Sequence, residues 1–573
     1  MPKEYEEYMS EQQELLPIKE LTHNGYRWFR YSADQTGLDM ICMEDLQSGV
    51  VVTSPLANPE KRTAAHKAWG GARQSRAPGT PWDIYHEMGE KGVDPDQKID
   101  DMFAGYGHKS VGDMARIQVD HHLTPMHLAF TMFHEGYIIS GQEKSTRYQP
   151  SFRRAVLHPL SNYLPIDEMN PEIEEEYQGL GGLSLELFAK HREKLTSAYE
   201  EFYQPDASQK GALNSRVLDS ARYFLLFGQG TGFSYETSSR DWSRIISLLQ
   251  ASHVPFYRRY ANQLEAFLAP DAETEKLLIF KAESPSLIRH TEADNTVNEN
   301  LRQLKTFIGG KEDLLRVAKA YGSFPQRKEQ VINLLPGQIS LGERVAMQYV
   351  QTLWPALPAE VVNGWLSTRS DETKRRISQI IFNGHDKYRE PSYMAAVTDI
   401  TLQVFADLGV QRDFNRQRAW GRFMPMPLLY GEAWGRQKAE QVLCKGFGLP
   451  LYLVAVDQFE EQAEDFTTDM ERYYEGVYSL MDKVQTEYGD KADFSFVANV
   501  MPLGQMVDFY MHGNPKQALY FTDLRYRPGG HINYRALAYE ANQLIANSDL
   551  YLSGIKLDQR PDPASKVEFF DRS

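Results

Sequence analysis

Cysteine is nearly absent from this chain. Only Cys42 and Cys444 occur among its 573 residues. Two thiols so far apart in sequence exclude a disulfide framework and a cysteine-based zinc site, and such scarcity is typical of a reducing compartment. No apolar run reaches the roughly 20 residues that a membrane span needs, and the charged N-terminus lacks a signal-peptide core. These absences predict a soluble, cytoplasmic protein with no membrane partner.

Positive charge is also scarce. The chain has 62 Lys and Arg against 78 Asp and Glu, a formal net charge of −16. Because binding along a phosphate backbone needs a positive field, this balance argues against a nucleic-acid partner. A local arginine cluster could still hold a small phosphate. Hydrophobic residues at 42% and charged residues at 24% are typical of a globular protein, and the length allows about two to four domains.

Apolar periodicity predicts a helix-rich α+β fold. Spacings of three and four residues predict helices over 121–139, over 400–408 and, after the breaker at 528–530, over 534–544. Short runs rich in β-branched and apolar residues predict strands at 49–53 and 449–456.

The two halves of the chain show weak self-similarity. Residues 99–108 read IDDMFAGYGH and residues 377–385 read ISQIIFNGH, and a long helical pattern follows each stretch. Such a recurrence predicts a tandem repeat. The charged and polar stretch from about 292 to 327 is the candidate junction.

The segment 140–148, SGQEKSTRY, carries the residues best suited to chemistry. In a loop, Glu143, Ser145 and Arg147 can all face one ligand. Arginine offers a planar fork for phosphate, serine a short hydroxyl donor, and glutamate an acceptor for N–H groups. The competing interpretation is a surface loop with a capping serine and a salt bridge.

Segment 140–148 resembles the second half of the signature of the flavin-dependent thymidylate synthases, Arg-His-Arg-x-x-Ser-x-Asn-Glu-x-Ser-x-Arg-Tyr. Gln142 stands in place of Asn. The first half of that signature resembles residues 412–418, RDFNRQR, where Gln417 replaces His. Each half of the chain keeps the part that the other has lost. The resemblance is patchy and covers about residues 50–270 and 330–550.

Other segments resemble the family's flavin and nucleotide contacts. The resemblance implies that cofactor is bound by His108, Ser110, Glu143, Arg240, Arg416, Gln417, Arg418, Asn514 and Lys516. It implies that substrate is bound by Glu143, Ser145, Arg147, Arg222 and Arg525. Arg525 is also the implied catalytic residue, because an arginine at the uracil edge stabilises developing negative charge.

The resemblance implies two tandem copies of the family fold, with helices packed around an antiparallel or mixed sheet. The implied reaction is the reductive methylation of dUMP to dTMP, with FAD as cofactor and NADPH and methylenetetrahydrofolate as co-substrates. The implied oligomer is a homodimer that mimics the family's tetramer. The expected division is an N-terminal extension, repeat 1, a junction, repeat 2 and a tail, at 1–45, 46–300, 301–328, 329–555 and 556–573.

Three alternatives stay open. The chain could perform a related C5 alkylation of a pyrimidine, such as hydroxymethylation, or it could be a catalytically inactive nucleotide-binding homologue. A metal site is a third possibility, because five histidines occur close together at 108, 121, 122, 127 and 134. His127 and His134 share a helix face, but no His-Glu-x-x-His is present, so structural histidines with no bound metal are the favoured interpretation.

Overall fold

A computed structural model describes most of the chain. The described residues are 19–33, 38–55, 63–74, 90–106, 109–136, 139–144, 157–164, 169–308, 326–327, 330–334, 341–381, 400–415, 417, 420–424, 428, 431–513, 521–522, 524–548 and 557–571. Helices and mainly antiparallel sheets make it an α+β protein, as the sequence predicts.

The secondary structure of the described residues is as follows. The strands are β1 Lys19–His23, β2 Tyr26–Ala33, β3 Leu38–Asp45, β4 Val51–Pro55, β5 Arg116–Pro125, β6 Ser140–Glu143, β7 Gly230–Ser238, β8 Gln326–Arg327, β9 Val331–Leu334, β10 Ile400–Asp407, β11 Gly421–Phe423, β12 Phe447–Gly448 and β13 Met506–Gly513. The helices are α1 Ala64–Gln74, α2 Pro95–Tyr106, α3 Met126–Glu135, α4 Pro171–Tyr203, α5 Lys210–Ala221, α6 Ser239–Gln250, α7 Pro255–Leu268, α8 Ala272–Leu278, α9 Thr296–Ile308, α10 Leu341–Leu353, α11 Ala359–Ser367, α12 Asp371–Ile381, α13 Leu408–Asn415, α14 Arg436–Leu443, α15 Leu451–Ala455, α16 Glu460–Tyr488, α17 Val497–Val500, α18 Ile532–Ser548 and α19 Lys566–Phe570.

The chain forms two compact units. Unit 1 comprises Met1–Lys144 and Gly230–Asp294, and unit 2 comprises Ser145–Gln229 and Asn295–Ser573. Unit 2 therefore contains α4 and α5, which the sequence division assigns to repeat 1. The predicted repeat boundaries stay a prediction, and residues 309–325 of the junction lie outside the described residues. None of the described helices is both long enough and apolar enough to cross a membrane.

Unit 1 is built on a seven-stranded sheet in the order β1-β2-β3-β4-β5-β7-β6. Strand β5 pairs with β4 on one side and β7 on the other, and its register is interrupted between His121 and Thr124, where Leu123 has φ +54°. The chain then enters α3 directly at Met126. The predicted helix over 121–139 is therefore wrong for its first residues, because they belong to a sheet strand.

Unit 2 is built on a four-stranded sheet in the order β11-β13-β10-β9, and α4 and α16 lie antiparallel in the same unit. Strand β10 is buried along its length except at Phe405, which is half-buried. A strand buried on both faces has no polar period, so the helix predicted over 400–408 is wrong and α13 begins only at Leu408.

Of the three remaining local predictions, two are confirmed and one is wrong. The strand predicted at 49–53 is confirmed by β4, and the helix predicted over 534–544 is confirmed by α18. The strand predicted at 449–456 is wrong, since Pro450 precedes the short helix α15. Proline at a helix start costs no hydrogen bond, which explains why an apolar run there can be helical.

The two sheets share one strand order. In unit 1, four neighbouring strands run β4-β5-β7-β6, and in unit 2 they run β9-β10-β13-β11. Taken in chain order, both sets place the first, second, fourth and third strands side by side. In both sets the second strand leads straight into a helix, α3 or α13.

Two segments of unit 2, 222–229 and 498–505, exchange backbone hydrogen bonds symmetrically. Leu226 and Pro502 form an antiparallel bridge at the centre. The N–H groups donate in reciprocal pairs, Phe227 to Met501 (2.7 Å) and Leu503 to Leu225 (2.6 Å), then Gly228 to Asn499 (2.8 Å) and Gly504 to Tyr223 (2.9 Å). Each segment therefore makes the same contacts to the other, as two related segments do about a local two-fold axis.

Candidate functional site

The site residues proposed from the sequence are only partly described by the structure. Seven of them lie outside the described residues: His108, Ser145, Arg147, Arg416, Arg418, Asn514 and Lys516. Ser110 lies in a short 3₁₀ helix, Lys109–Met114, with its side chain outside the description. Glu143, Arg222, Arg240, Gln417 and Arg525 are described with their side chains, Glu143 and Arg240 in unit 1 and the others in unit 2.

In unit 1, Arg240 lies against the segment that carries Ser110. Arg240 is in the first turn of α6, whose N-cap Ser238 accepts a hydrogen bond from Asp241 N. Its Nη1 lies 3.2 Å from Asp113 Oδ2, and its side chain is 36% exposed. A side chain at Gly112 would come within 3.2 Å of Arg240 Cβ. Two proposed flavin-binding segments therefore meet here at a helix N-terminus.

Glu143 is a half-buried residue of unit 1, at the end of β6. It is the backbone partner of Phe233 in β7. Residues 145–148 of the signature lie outside the described residues, so the structure gives the position of its first part, residues 140–144, which includes Glu143.

In unit 2, Gln417 and Arg525 are hydrogen-bonded to each other. With the Gln417 amide oriented so that its oxygen faces the guanidinium, Oε1 accepts from Arg525 Nε at 2.9 Å and from Nη2 at 2.8 Å. Gln417 is 6% exposed, whereas Arg525 is half-buried. The sequence proposed both residues but gave no contact between them.

Aromatic side chains form the floor beneath this pair. The Arg525 guanidinium lies over the Tyr534 ring, 5.5 Å from its centroid. Phe414, in the last turn of α13, has its ring centroid 6.3 Å from that of Tyr534 and 4.8 Å from that of Phe521. The backbone N–H of Gln417 donates to Phe414 O at 3.0 Å, so the turn that follows α13 fixes Gln417 above these rings.

Arg222 lies in unit 2 and is directed at carboxylates. Its side chain is 2% exposed, and Nη2 lies 3.1 Å from Asp413 Oδ2 in α13. A side chain at Gly409 would come within 3.2 Å of the guanidinium and 3.0 Å of Asp407 Oδ1, so Gly409 allows arginine and carboxylate to approach. This position suits holding α13 in place. The Arg222 guanidinium has almost no exposed surface with which to contact a ligand. Phosphate binding by Arg222 stays a prediction.

Asp407 is the centre of a buried polar cluster that the sequence reasoning missed. Its Oδ2 accepts hydrogen bonds from Tyr223 Oη at 2.7 Å and from Gln330 Nε2, and its Oδ1 accepts from Val410 N at 2.8 Å. Asn533 Nδ2 donates to Tyr223 Oη at 2.6 Å. An aspartate at the end of a mainly apolar segment, ITLQVFAD, was a sequence signal that could have revealed this cluster.

Burial dominates the electrostatics of the cluster. Burial raises the pKa of the Asp407 carboxyl, although the Arg222 guanidinium and the hydrogen bond from Tyr223 oppose the rise. Burial also raises the pKa of Tyr223 well above its ordinary value, and the negative charge of Asp407 adds to that rise. Tyr223 therefore stays protonated and donates to Asp407, which fixes the direction of that hydrogen bond.

Two of the five histidines of the predicted metal alternative, His121 and His127, have protein partners among the described residues. In unit 1, His121 Nδ1 lies 2.5 Å from Tyr260 Oη, and His127 Nδ1 lies 3.0 Å from Tyr257 Oη. His121 is fully buried and stacks on Phe233 with 4.1 Å between ring centroids. Burial lowers the pKa of His121 well below its ordinary value, so the ring is neutral. These contacts account for both rings as core groups.

A second cluster with metal-like composition lies between α4 and α16 in unit 2. Among the described residues, His191, Asp465 and Asp469 bring three potential ligand atoms within 4.8 Å of one another. Lys190 contacts Asp469 and lies 3.3 Å from Asp465, and Lys194 lies 2.6 Å from Asp465. Because two ammonium groups already neutralise the carboxylates, this cluster is an ion-pair network that joins the two helices.

The hydrogen-bond donors around Arg240 in unit 1 and around Arg525 in unit 2 suit different ligand groups. In unit 1, a partly exposed arginine at the N-terminal turn of a twelve-residue helix suits an anionic cofactor group such as a pyrophosphate. In unit 2, the guanidinium of Arg525 stands over aromatic rings and suits a planar, hydrogen-bonding ligand edge. Both sets fit the chemistry of a flavin and a pyrimidine nucleotide.

Comparisons with known proteins returned no match, either among protein-family models or among curated proteins.

Proposed function

We propose that the chain is a tandem-duplicated, flavin-dependent thymidylate synthase that converts dUMP to dTMP with methylenetetrahydrofolate and reduced FAD. The observation that carries the proposal is the contact between Gln417 and Arg525. The sequence resemblance assigns these two residues, from separate segments, to cofactor and to substrate binding. Their direct pairing supports a shared site.

Arg525 is the group proposed to act on the pyrimidine. The Gln417 side-chain oxygen accepts hydrogen bonds from Nε–H and from one Nη2–H of Arg525. Among the described residues, the remaining three N–H groups of the Arg525 guanidinium have no hydrogen-bond partner. Those three N–H groups are the ones proposed to donate to the uracil edge. There they would stabilise the negative charge that develops on the ring during transfer to C5.

The glutamine at 417 suits this role even though the resembled family has histidine there. An amide oxygen fixes the guanidinium by accepting two hydrogen bonds, yet it carries no charge. The positive charge of Arg525 is therefore left for the ligand, whereas a carboxylate in the same place would neutralise it. The Tyr534 ring beneath the guanidinium adds a favourable cation–π contact without neutralising it either.

The fold offers independent support for duplication. The shared strand order of the two sheets and the reciprocal hydrogen bonds of segments 222–229 and 498–505 are expected of two copies of one domain. At corresponding positions of these segments, Arg222 is matched by Ala498. In chain position, Asp407 at the end of β10 is matched by Pro125 at the end of β5. Both charged residues are therefore missing at the related positions, and we propose one nucleotide site per chain.

FAD, when bound, would supply the reducing equivalents and carry the one-carbon unit, and Arg240 with the Ser110 segment is the proposed holder of its charged part. The chain's own residues would do three things. Arg525 would orient the pyrimidine, Gln417 would orient Arg525, and Arg222 with Asp413 would hold α13 in register.

The direct test is turnover by the purified full-length protein. A flavin spectrum in the purified protein, tritium release from C5-labelled dUMP and formation of dTMP in the presence of NADPH and methylenetetrahydrofolate are the expected results. A product heavier than dTMP by one oxygen would identify hydroxymethylation instead. Flavin or dUMP binding without tritium release would identify an inactive homologue.

The Arg525→Ala variant tests whether Arg525 is required for activity. Loss of one electrostatic donor at the reacting group should lower kcat by about 10²-fold or more, while thermal unfolding stays close to wild type. Arg527→Ala, at an exposed position two residues on, is the control and should keep full activity. Equal activity in both variants would refute the proposed site.

Stoichiometry and assembly can be measured on the same protein. Titration calorimetry should give one dUMP per chain, and light scattering should give a dimer of full-length chains. Two equivalent nucleotides per chain would contradict the loss of one site, and a stable monomer would contradict the proposed mimicry of a tetramer.

A further inference from the structure

Arg216 is a buried arginine of α5 that none of the motifs includes. Its side chain and that of Asp219, 3.6 Å away, have no exposed surface. The guanidinium donates to four backbone carbonyls, those of Gly530 (2.6 Å), Pro528 (2.8 Å), Phe569 (3.0 Å) and Asp571 (3.2 Å). One side chain therefore joins the loop at 528–530 to the C-terminal end of the described chain.

Residues 557–571, which we call the C-terminal strap, are also anchored on α4. The Phe569 ring stacks on Tyr203 with 3.8 Å between centroids, and Tyr203 Oη donates to Pro563 O. Lys566 Nζ donates to Gln204 O at 2.8 Å, just after α4 ends. The strap is thus fixed to a helix pair, α4 and α5, that precedes Arg222 in the chain.

The strap also contacts the segment that carries Arg525. Tyr526 Oη donates to Gln559 O at 2.7 Å. Arg535 bridges the two, because its Nη2 lies 3.1 Å from Glu568 Oε2 and its Nε donates to Tyr526 O at 3.1 Å. The residue next to Arg525 is therefore bonded to the strap both directly and through Arg535.

The loop at 528–530 completes the connection. Gly530 accepts from Arg216 through its carbonyl, and a side chain at this glycine would come within 2.6 Å of the Tyr534 ring. Tyr534 is the ring over which the Arg525 guanidinium lies. Because Gly530 lies this close to the ring, a shift of the Arg216 anchor would change the packing of Tyr534 beneath Arg525.

We propose that Arg216 and the C-terminal strap position Arg525 for the pyrimidine, an inference that rests on the proposed function. Arg216 is a positioning residue, since it is bonded to backbone carbonyls that flank the Arg525 segment. Only an arginine can make these four contacts, because the N–H groups of its planar guanidinium point in several fixed directions from three nitrogens. The donors of a lysine all lie on one nitrogen. Small displacements of a catalytic group cost large factors in rate, which gives such an anchor its value.

The structural arm of the test is independent of activity. Amide hydrogen exchange in peptides covering 524–535 should be faster in Arg216→Gln than in the wild-type full chain, with exchange in unit 1 unchanged. Arg258→Gln is the matched control, because Arg258 donates to two backbone carbonyls, Ser252 O (2.6 Å) and His253 O (2.8 Å), within unit 1. Unchanged exchange across 524–535 in a folded Arg216→Gln protein would overturn the proposal.

If Arg216→Gln does not fold, two milder variants replace it. Arg216→Lys keeps the charge beside Asp219 but loses the fork, and Tyr526→Phe removes only the hydroxyl bonded to Gln559. Both should speed exchange in 524–535, to a smaller degree. Wild-type exchange in both variants would overturn the proposal.

The kinetic arm asks whether Arg216 acts through Arg525. Arg216→Gln should lower kcat by about 10²-fold, with KM for dUMP changed by less than about threefold. In an Arg525→Ala background the same change should cost almost nothing further, because the group it positions is gone. Additive losses would overturn positioning through Arg525. A wild-type protein without dTMP formation would refute the proposed function, while the exchange arm would still decide the role of the strap.

Discussion

Gln417 accepts two hydrogen bonds from Arg525, at 2.9 Å from Nε and 2.8 Å from Nη2. The acceptor is a buried neutral amide, and the donor is a half-buried cation over an aromatic ring. This arrangement fixes the direction of the guanidinium, and no carboxylate of the described residues pairs with its charge. The structure thereby joins Gln417, which the resemblance assigns to cofactor binding, to Arg525, which it assigns to catalysis.

Replacement of Gln417 should separate orientation from charge. Gln417→Ala removes both hydrogen bonds but leaves the Arg525 cation in place, so we expect kcat to fall about tenfold to a hundredfold with little change in flavin content. Gln417→Glu keeps an acceptor but neutralises the cation, and it should be at least as damaging. Steady-state dTMP formation and the flavin spectrum measure both effects. Full activity in Gln417→Glu would contradict the role of an uncompensated charge.

Arg222 should be important for stability. Arg222→Met leaves the buried Asp407 and the nearly buried Asp413 without their cation, and we expect a loss of about 3–5 kcal/mol in the free energy of unfolding. Urea unfolding followed by circular dichroism measures it. Arg240→Met is the matched control, because its pair with Asp113 is largely exposed and should contribute less than about 1 kcal/mol. Equal losses in the two variants would contradict the buried ion-pair assignment.

Acidification should act on the same cluster in a predictable direction. The folded-state pKa of Asp407 is raised above its unfolded value of 3.8, mainly by burial. Its ionisation therefore costs stability as pH rises above that value, and protonation relieves the cost. In Arg222→Met, which loses the compensating cation, the deficit relative to wild type should shrink as pH is lowered toward 4. A deficit that grows on acidification would contradict this account.

His512 should make unit 2 sensitive to acid. Burial, with a smaller contribution from the Arg344 guanidinium, lowers the pKa of this histidine to about 3. The folded state therefore excludes a proton that the unfolded chain binds below pH 6.5, so stability present above pH 6.5 is lost toward pH 3, at about 1.4 kcal/mol per pH unit. His512→Gln should flatten the urea-unfolding free energy between pH 6.5 and 4.5. An unchanged slope would show that His512 is not the titrating group.

Gly228 and Gly504, the glycines at corresponding positions of segments 222–229 and 498–505, should not tolerate a side chain. A Cβ at Gly228 would lie 2.3–2.4 Å from Asn499 atoms, including backbone, so Gly228→Ala should cost about 3 kcal/mol or more of unfolding free energy. Gly504→Ala should cost less, because its nearest atom, at 2.9 Å, belongs to the Tyr223 ring. Gly230→Ala is the control, since no atom lies within 4 Å of its Cβ position. Thermal unfolding of the three variants should follow this order.

Local sequence determined part of the fold directly. The helix over 534–544 and the strand near 49–53 followed from periodicity and from breakers beside them, which depend only on neighbouring residues. The helix predictions for residues 121–125 and 400–407 were wrong for one shared reason. Each is a strand paired on both sides, and each leads at once into a helix, so strand and helix residues read as one apolar run.

The resemblance of its motifs to those of a known family also singled out Arg222, Gln417 and Arg525 from the sequence. Only the tertiary structure decided their partners. Arg222 is bonded to Asp413, Gln417 is bonded to Arg525, and Arg216 is bonded to four carbonyls that no motif includes. Such pairs lie far apart along the chain, and their contact depends on how the helices and strands pack. The spacing of residues along the chain carries no information about this packing. The packing is stabilised by burial of apolar surfaces on segments that are distant in sequence.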